Sequence, residues 1–224
     1  MMQKSISILF ITLLMSCSST QLVESWKNPD IGIYEPYKIL VVGLTSDEVA
    51  RKQFEEKLKN ELALRGSEVI INFDSLAQAP NKDKMTEEEL DALEQQLIVD
   101  GFDTILLTKI VGVENKTSYR RDYSNYSETY KRFKDDYLMH QDIFYNPDYY
   151  EKFQIYKAET TMYCICPTKD RELIWKGYIN ITDPRSIEKT VTDYVKLVIL
   201  VLEEQQLINT LAITKVDKTE NVNN

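Results

Sequence analysis

Sulfur and imidazole are the scarcest reactive groups in this chain of 224 residues: three cysteines, at 17, 164 and 166, and one histidine, His140. Met162, Cys164 and Cys166 alternate along a run of strand-forming residues, and alternate residues of a strand share a face. Three soft sulfur ligands on one face could hold Cu(I). The run is a regular strand with no flexible ligand loop and no histidine near it, and Cys and Met are common core residues. The face therefore reads as buried, and no metal is assigned. A rise of about 3.3 Å per residue puts the two cysteines about 6.6 Å apart, at the strained end of disulfide geometry, so they read as free thiols. His140 sits in a polar stretch and reads as solvated. With no histidine partner for any Ser or Cys, a hydrolase triad has no support. Gly43-Leu44-Thr45-Ser46 lacks the glycines and lysine of a phosphate loop. The acid pairs Asp135-Asp136 and Glu203-Glu204 read as solvated helix faces, since neighbours on a helix point apart. No catalytic residue and no cofactor emerge, and the expectation is a non-enzymatic protein.

Cys17 is different. Lys4 is followed by an apolar run, Ile6 to Met15, then Ser16 and Cys17. Ten residues are too few to span a bilayer, which takes about 20 in a helix, but they suit the core of a secretory signal. Leu14-Met15-Ser16-Cys17 resembles the lipobox of bacterial lipoproteins. That resemblance implies cleavage after residue 16 and attachment of palmitate-type acyl chains to Cys17. Because two or more chains give a stable anchor, it implies a firm membrane attachment. Ser18 rather than aspartate after the cysteine leans towards the outer membrane, and no acidic export run follows, so the domain is expected to face the periplasm. Ser18 to Gln21 read as an unstructured tether.

The second candidate site is aromatic. Tyr119, Tyr123, Tyr126, Tyr130, Phe133 and Tyr137 are spaced 4, 3, 4, 3 and 4, which would put all six on one side of a helix. Such a stripe could recognise an envelope protein or a glycan, because tyrosine offers a rigid contact and a hydroxyl. It could equally cover the domain's own sheet.

The remaining elements must position these groups. Residues 17–37 form a tether and lead-in. Residues 38–206 form one mixed α/β domain in the order β-α-β-α-β-(insertion)-β-β-α, with the Tyr-rich insertion at 115–152 and a polar tail at 207–224. Lys38 to Gly43 is apolar from Ile39 onward, as in a strand buried on both faces. Thr45 with Glu48, and Thr86 with Glu89, fit capping boxes, and Gly66 and Gly101 are natural helix stops. The first strands should be parallel. Gln154 to Cys166 and Glu172 to Thr182 should form an antiparallel hairpin, and Ile187 to Leu202 carries a helical apolar stripe. With 27 basic against 36 acidic residues, the chain is a poor partner for nucleic acid.

Element order, lipobox, Tyr37-Lys38-Ile39-Leu40-Val41-Val42-Gly43 and Glu172-Leu173-Ile174-Trp175-Lys176-Gly177 together resemble the small α/β domain of the TolB amino-terminal part, curli-secretion lipoproteins and LpoB-type lipoproteins. No functional motif accompanies the likeness. It implies a fold, an envelope setting and the binding of another envelope component. The alternative reading is a lipoprotein that binds a small ligand or metal.

Overall fold

The computed structural model describes residues 19–71, 84–119, 132–146, 150–166 and 172–211. Six strands form one sheet: β1 (Thr20–Lys27), β2 (Lys38–Leu44), β3 (Glu68–Ile70), β4 (Thr104–Tyr119), β5 (Tyr150–Cys164) and β6 (Leu173–Thr182), in the order β1-β6-β5-β4-β2-β3. β2 pairs in parallel with β3 and β4, whereas β4–β5, β5–β6 and β6–β1 are antiparallel. The helices are α1 (Glu48–Ala63), α2 (Glu87–Val99), α3 (Phe133–His140), α4 (Asp142–Tyr145) and α5 (Ile187–Glu204). The fold is mixed α/β, with parallel first strands and a later antiparallel hairpin, as the apolar patterning implies.

β2 is buried on both sides. Ile39 and Val41 face Phe54, Leu58 and Leu62 of α1 and Val195, Val198 and Leu202 of α5. Leu40 and Val42 face Leu93 and Leu97 of α2. Two helices thus cover one face of the sheet, and α2 covers part of the other. Thr86 and Glu89 form the expected capping box. At α1 the cap is Asp47 instead, its Oδ1 accepting the Val49 and Ala50 N–H at 3.0 Å. A carboxylate one residue before the helix reaches those donors more directly than Thr45, which accepts the Asp47 N–H. Gly66 (φ 93°) and Gly101 (φ 82°) end α1 and α2 in the left-handed region.

Several boundaries differ from the sequence reading. Thr20 and Gln21, expected in a free tether, begin β1, which zips onto β6 from Thr20↔Ile181 to Lys27↔Trp175. Residues 20–27 of the tether and lead-in are therefore edge strand. The insertion is strand at both ends, because β4 runs on to Tyr119 and pairs with β5 down to Tyr119↔Tyr150. The tail does not begin at residue 207: Leu207 and Ile208 are buried in the core. Cys164 and Cys166 are joined as a disulfide rather than free, with Cα atoms 5.4 Å apart. β5 ends at Cys164, and the chain leaving the extended conformation draws the two α-carbons closer than strand spacing would. Glu203 is not a solvated acid either; its Oε1 accepts from Arg65 Nε at 2.7 Å. The turn that the hairpin requires, over Pro167 to Asp170, lies outside the described residues. Among those described, no helix is long and apolar enough to cross a membrane.

Candidate functional site

A cleft of about 370 Å³ opens at the carboxyl end of β2, beside Thr108 to Ile110 of β4. Its position follows from topology. From β2 the chain crosses by α1 to β3 on one side, then by α2 on the opposite face to β4 on the other side of β2. The cleft lies beside this crossover on the face that α1 and α5 share, between α1 and the loop leading into α5. The N-terminus of α5 closes the third side.

The floor is apolar: Phe54, Ala158, Ile181, Val191 and the ring of Tyr194. Gly43 lets α1 come this close to β2, since a β-carbon there would stand 3.3 Å from Arg51 Cγ and 3.4 Å from Phe54 Cδ1. The Gly43 N–H donates to Glu55 Oε1 at 3.0 Å, and Glu55 is itself buried. Behind the floor runs a chain of hydroxyls. Thr108 Oγ1 lies 2.8 Å from Thr160 Oγ1, which lies 2.8 Å from the Tyr194 hydroxyl. Burial pushes the Tyr194 phenol well above its usual range, against the pull of its Thr160 and Thr108 hydrogen bonds. It is a fixed neutral donor or acceptor, not a base. Phe54 meets Tyr194 edge-on, with ring centroids 5.9 Å apart.

The polar groups lie at the rim. Arg51 comes from α1, and Arg185 from the loop before α5, where its Nε lies 3.3 Å from Asp183 Oδ2. Both helix N-termini point to this rim, where the dipole favours an anion. Asp47 caps α1, and α5 has the neutral Ser186 as its cap but Glu188 in its first turn, so the positive charge at the rim comes chiefly from the Arg51 and Arg185 side chains. The arrangement suits an amphipathic molecule with an anionic head. It presents no nucleophile beside a base.

Cys17, Tyr123, Tyr126 and Tyr130 lie outside the described residues. Of the other aromatic positions, Tyr119 closes strand β4, while Phe133 and Tyr137 stand on α3 with ring centroids 5.8 Å apart. One helical face carrying all six does not form, because the β4–β5 ladder claims the backbone through Tyr119 and outweighs the 3–4 spacing. Phe133 is 82% exposed and Tyr137 43% exposed, so neither covers the sheet. His140 is exposed on α3, with Nδ1 3.0 Å from Asp136 Oδ1. Among the described residues no group of three His, Cys, Asp or Glu side chains could hold a metal. Met162 is buried in the core, and both neighbouring sulfurs are committed to the disulfide. The cleft was missed from sequence, although the β-α-β-α-β order carries the signal for a switch point.

No protein-family model matches the chain, and no curated protein matches it in sequence. Among solved structures, it is similar to the PelC dodecamer from Paraburkholderia phytofirmans, at 11% identity over 84% of this chain and 97% of that one, with a TM-score of 0.41. It is also similar to lipoprotein GNA1162 from Neisseria meningitidis, at 14% identity over 75% and 99%, with a TM-score of 0.39. A PDZ domain protein from Parabacteroides distasonis follows at 13% identity over 80% and 36%, with a TM-score of 0.34. None of the three scores reaches 0.5.

Proposed function

We propose that this chain is a lipid-anchored protein of the bacterial cell envelope, held in the outer membrane through Cys17 and facing the periplasm, whose α/β domain binds another envelope component without chemistry on it. The observation that carries the reading is the junction at Ser19. There the Ser19 carbonyl accepts from the Thr182 N–H at 2.7 Å, two positions after the cysteine of a sequence that resembles a lipobox. The disulfide supports the same setting, since disulfides persist in oxidising compartments such as the periplasm. Labelling cells with an alkyne-tagged fatty acid tests it. Wild type should be labelled and sediment with membranes, and Cys17→Ala should be neither. An unlabelled wild-type protein would sink the idea.

The cleft favours a second reading, a small amphipathic anion as the bound component. Dodecanoate, whose carboxylate would sit at the α5 N-terminus and whose chain would lie on Phe54 and Val191, is the probe. Titration calorimetry should show saturable binding to the wild type and at least a tenfold loss on Thr190→Trp, which fills the cleft. No heat, or equal heat from the variant, rejects this site.

A further inference from the structure

We infer that the Cys164–Cys166 disulfide is an exchange site: it takes up the two electrons of an exposed dithiol, entering through Cys166, and passes between disulfide and dithiol while the domain stays folded. The site is independent of the lipid anchor and apart from the cleft. It lies where β5 ends beside the first residue of β4, at the pair Thr104↔Cys164.

The two sulfurs differ in access. Cys164 is 2% exposed within the larger core, whereas Cys166 is half-buried at its margin. Thiol–disulfide exchange depends on which sulfur can be reached and on how readily the other leaves. Cys166 is the reachable one, so Cys164 is the sulfur expelled. The Cys166 N–H donates to Cys164 Sγ at 3.2 Å, and a hydrogen bond to the charged form favours the thiolate that leaves. Attack therefore has a direction. A partner thiolate bonds to Cys166 Sγ, the Cys164–Cys166 bond breaks, and its electron pair goes to Cys164 Sγ. The partner's second thiolate then attacks the partner sulfur of this mixed disulfide and releases Cys166. The partner is left as a disulfide, and its two thiol protons end on Cys164 and Cys166.

The backbone around the pair does not depend on the bond. The Cys164 N–H donates to the Glu172 carbonyl at 3.0 Å, and the Ile165 N–H to the Asp103 carbonyl at 2.9 Å. Ile165 is fully buried in the smaller core, on the opposite face of the sheet from the two sulfurs. These contacts hold the chain in place when the sulfurs part. The closed loop spans only three residues, so opening it relaxes the unfolded chain little. The dithiol finds partners as well: Cys166 Sγ lies 3.7 Å from the Asp103 carbonyl oxygen, which can accept its S–H, and Cys164 keeps the Cys166 N–H. One backbone thus serves both redox states.

The test uses the full chain with dithiothreitol as the dithiol. Samples are quenched in acid, alkylated and mapped by peptide mass, which reads Cys164 and Cys166 apart from Cys17. Wild type should be reduced at no less than the rate at which dithiothreitol reduces oxidised glutathione, with the emission of the buried Trp175 unchanged. After removal of the reductant, oxidised glutathione should restore the bond. The entry sulfur is read from single variants incubated with oxidised glutathione: Cys166 in Cys164→Ser should form a mixed disulfide at least tenfold faster than Cys164 in Cys166→Ser. Reduction of wild type that is slower than the benchmark, or that proceeds only together with a loss of the folded emission, overturns the proposal and leaves the bond a structural one. Equal rates in the two variants overturn the direction of attack. Wild type alkylated at both positions before any reductant is added has no bond to exchange, and that result overturns it too.

Discussion

The indole of Trp175 passes over Gly177 on the same face of β6, so that a β-carbon at position 177 would stand 2.6 Å from Trp175 Cζ2. Trp175 is fully buried at the centre of the larger core, so it cannot swing away. Gly177→Ala should therefore cost more than a surface substitution in a strand, about 2–3 kcal/mol for overpacking. Urea unfolding of the variant should show a lower midpoint with an unchanged slope; an unmoved midpoint would mean that the ring can relax.

Arg65 ties the carboxyl ends of α1 and α5 together. It is buried, donates Nε to Glu203 at 2.7 Å and Nη1 to Glu61 Oε2 at 2.8 Å. Arg65→Ala strands two carboxylates, one of them largely buried, and should cost about 3 kcal/mol. Lys189→Ala, which breaks the exposed pair with Asp193, should cost under about 0.5 kcal/mol. Thermal unfolding of both variants ranks them, and equal losses would contradict the burial argument.

Much of this was legible in the sequence. The two-sided burial of β2 follows from the unbroken run Ile39 to Val42, and the α5 stripe follows from its 3–4 spacing. β1 was not legible, because Thr20 to Lys27 alternates poorly and owes its strand state to the free edge of β6. The Tyr-rich spacing misled for a related reason. Backbone pairing between β4 and β5 is a long-range fact, and a local 3–4 pattern cannot report it. The cleft depends on which face each crossover helix takes, and no single stretch records that choice.

Stability should fall at both pH extremes, for different groups. Burial alone would raise the Glu159 carboxyl, but hydrogen bonds from Lys109 and Tyr178 outweigh it and hold the group below its ordinary 4.5. A depressed carboxyl adds stability above that value, lost as pH falls through its folded value. Lys109 is raised from 10.5 by the same bond, so its share is present below 10.5 and lost above. Burial lifts the Tyr34 phenol to about 12, offset in part by its bond to Thr104, and lifts Tyr194 as well. Both fold as neutral phenols, so their contribution is full below pH 10 and lost above it. Denaturant midpoints across pH should fall away below about pH 4.5 and above about pH 10. Glu159→Gln should flatten the acid limb. In ultraviolet titration, Tyr34 and Tyr194 should ionise last, together with unfolding.

The disulfide closes a loop of only three residues. Its chain-entropy contribution is correspondingly small, about 1.5 kcal/mol. Mass spectrometry of the protein alkylated without reduction should leave Cys164 and Cys166 unmodified. Cys166→Ser should shift the unfolding midpoint modestly; alkylation of both thiols in the untreated protein would show the bond absent.

The edge position of β1 also sets a clock. The first strand to be synthesised closes against one of the last, Thr20 on Ile181, with β5 and β6 still to be made when β1 is already free. Sheet closure must therefore wait for nearly the whole domain. Until then the β1 backbone is without its partner strand, and afterwards the Ser19 carbonyl is held by the Thr182 N–H. A mutation that hastens closure of β1 on β6 would shorten the interval in which both unpaired edges stand open.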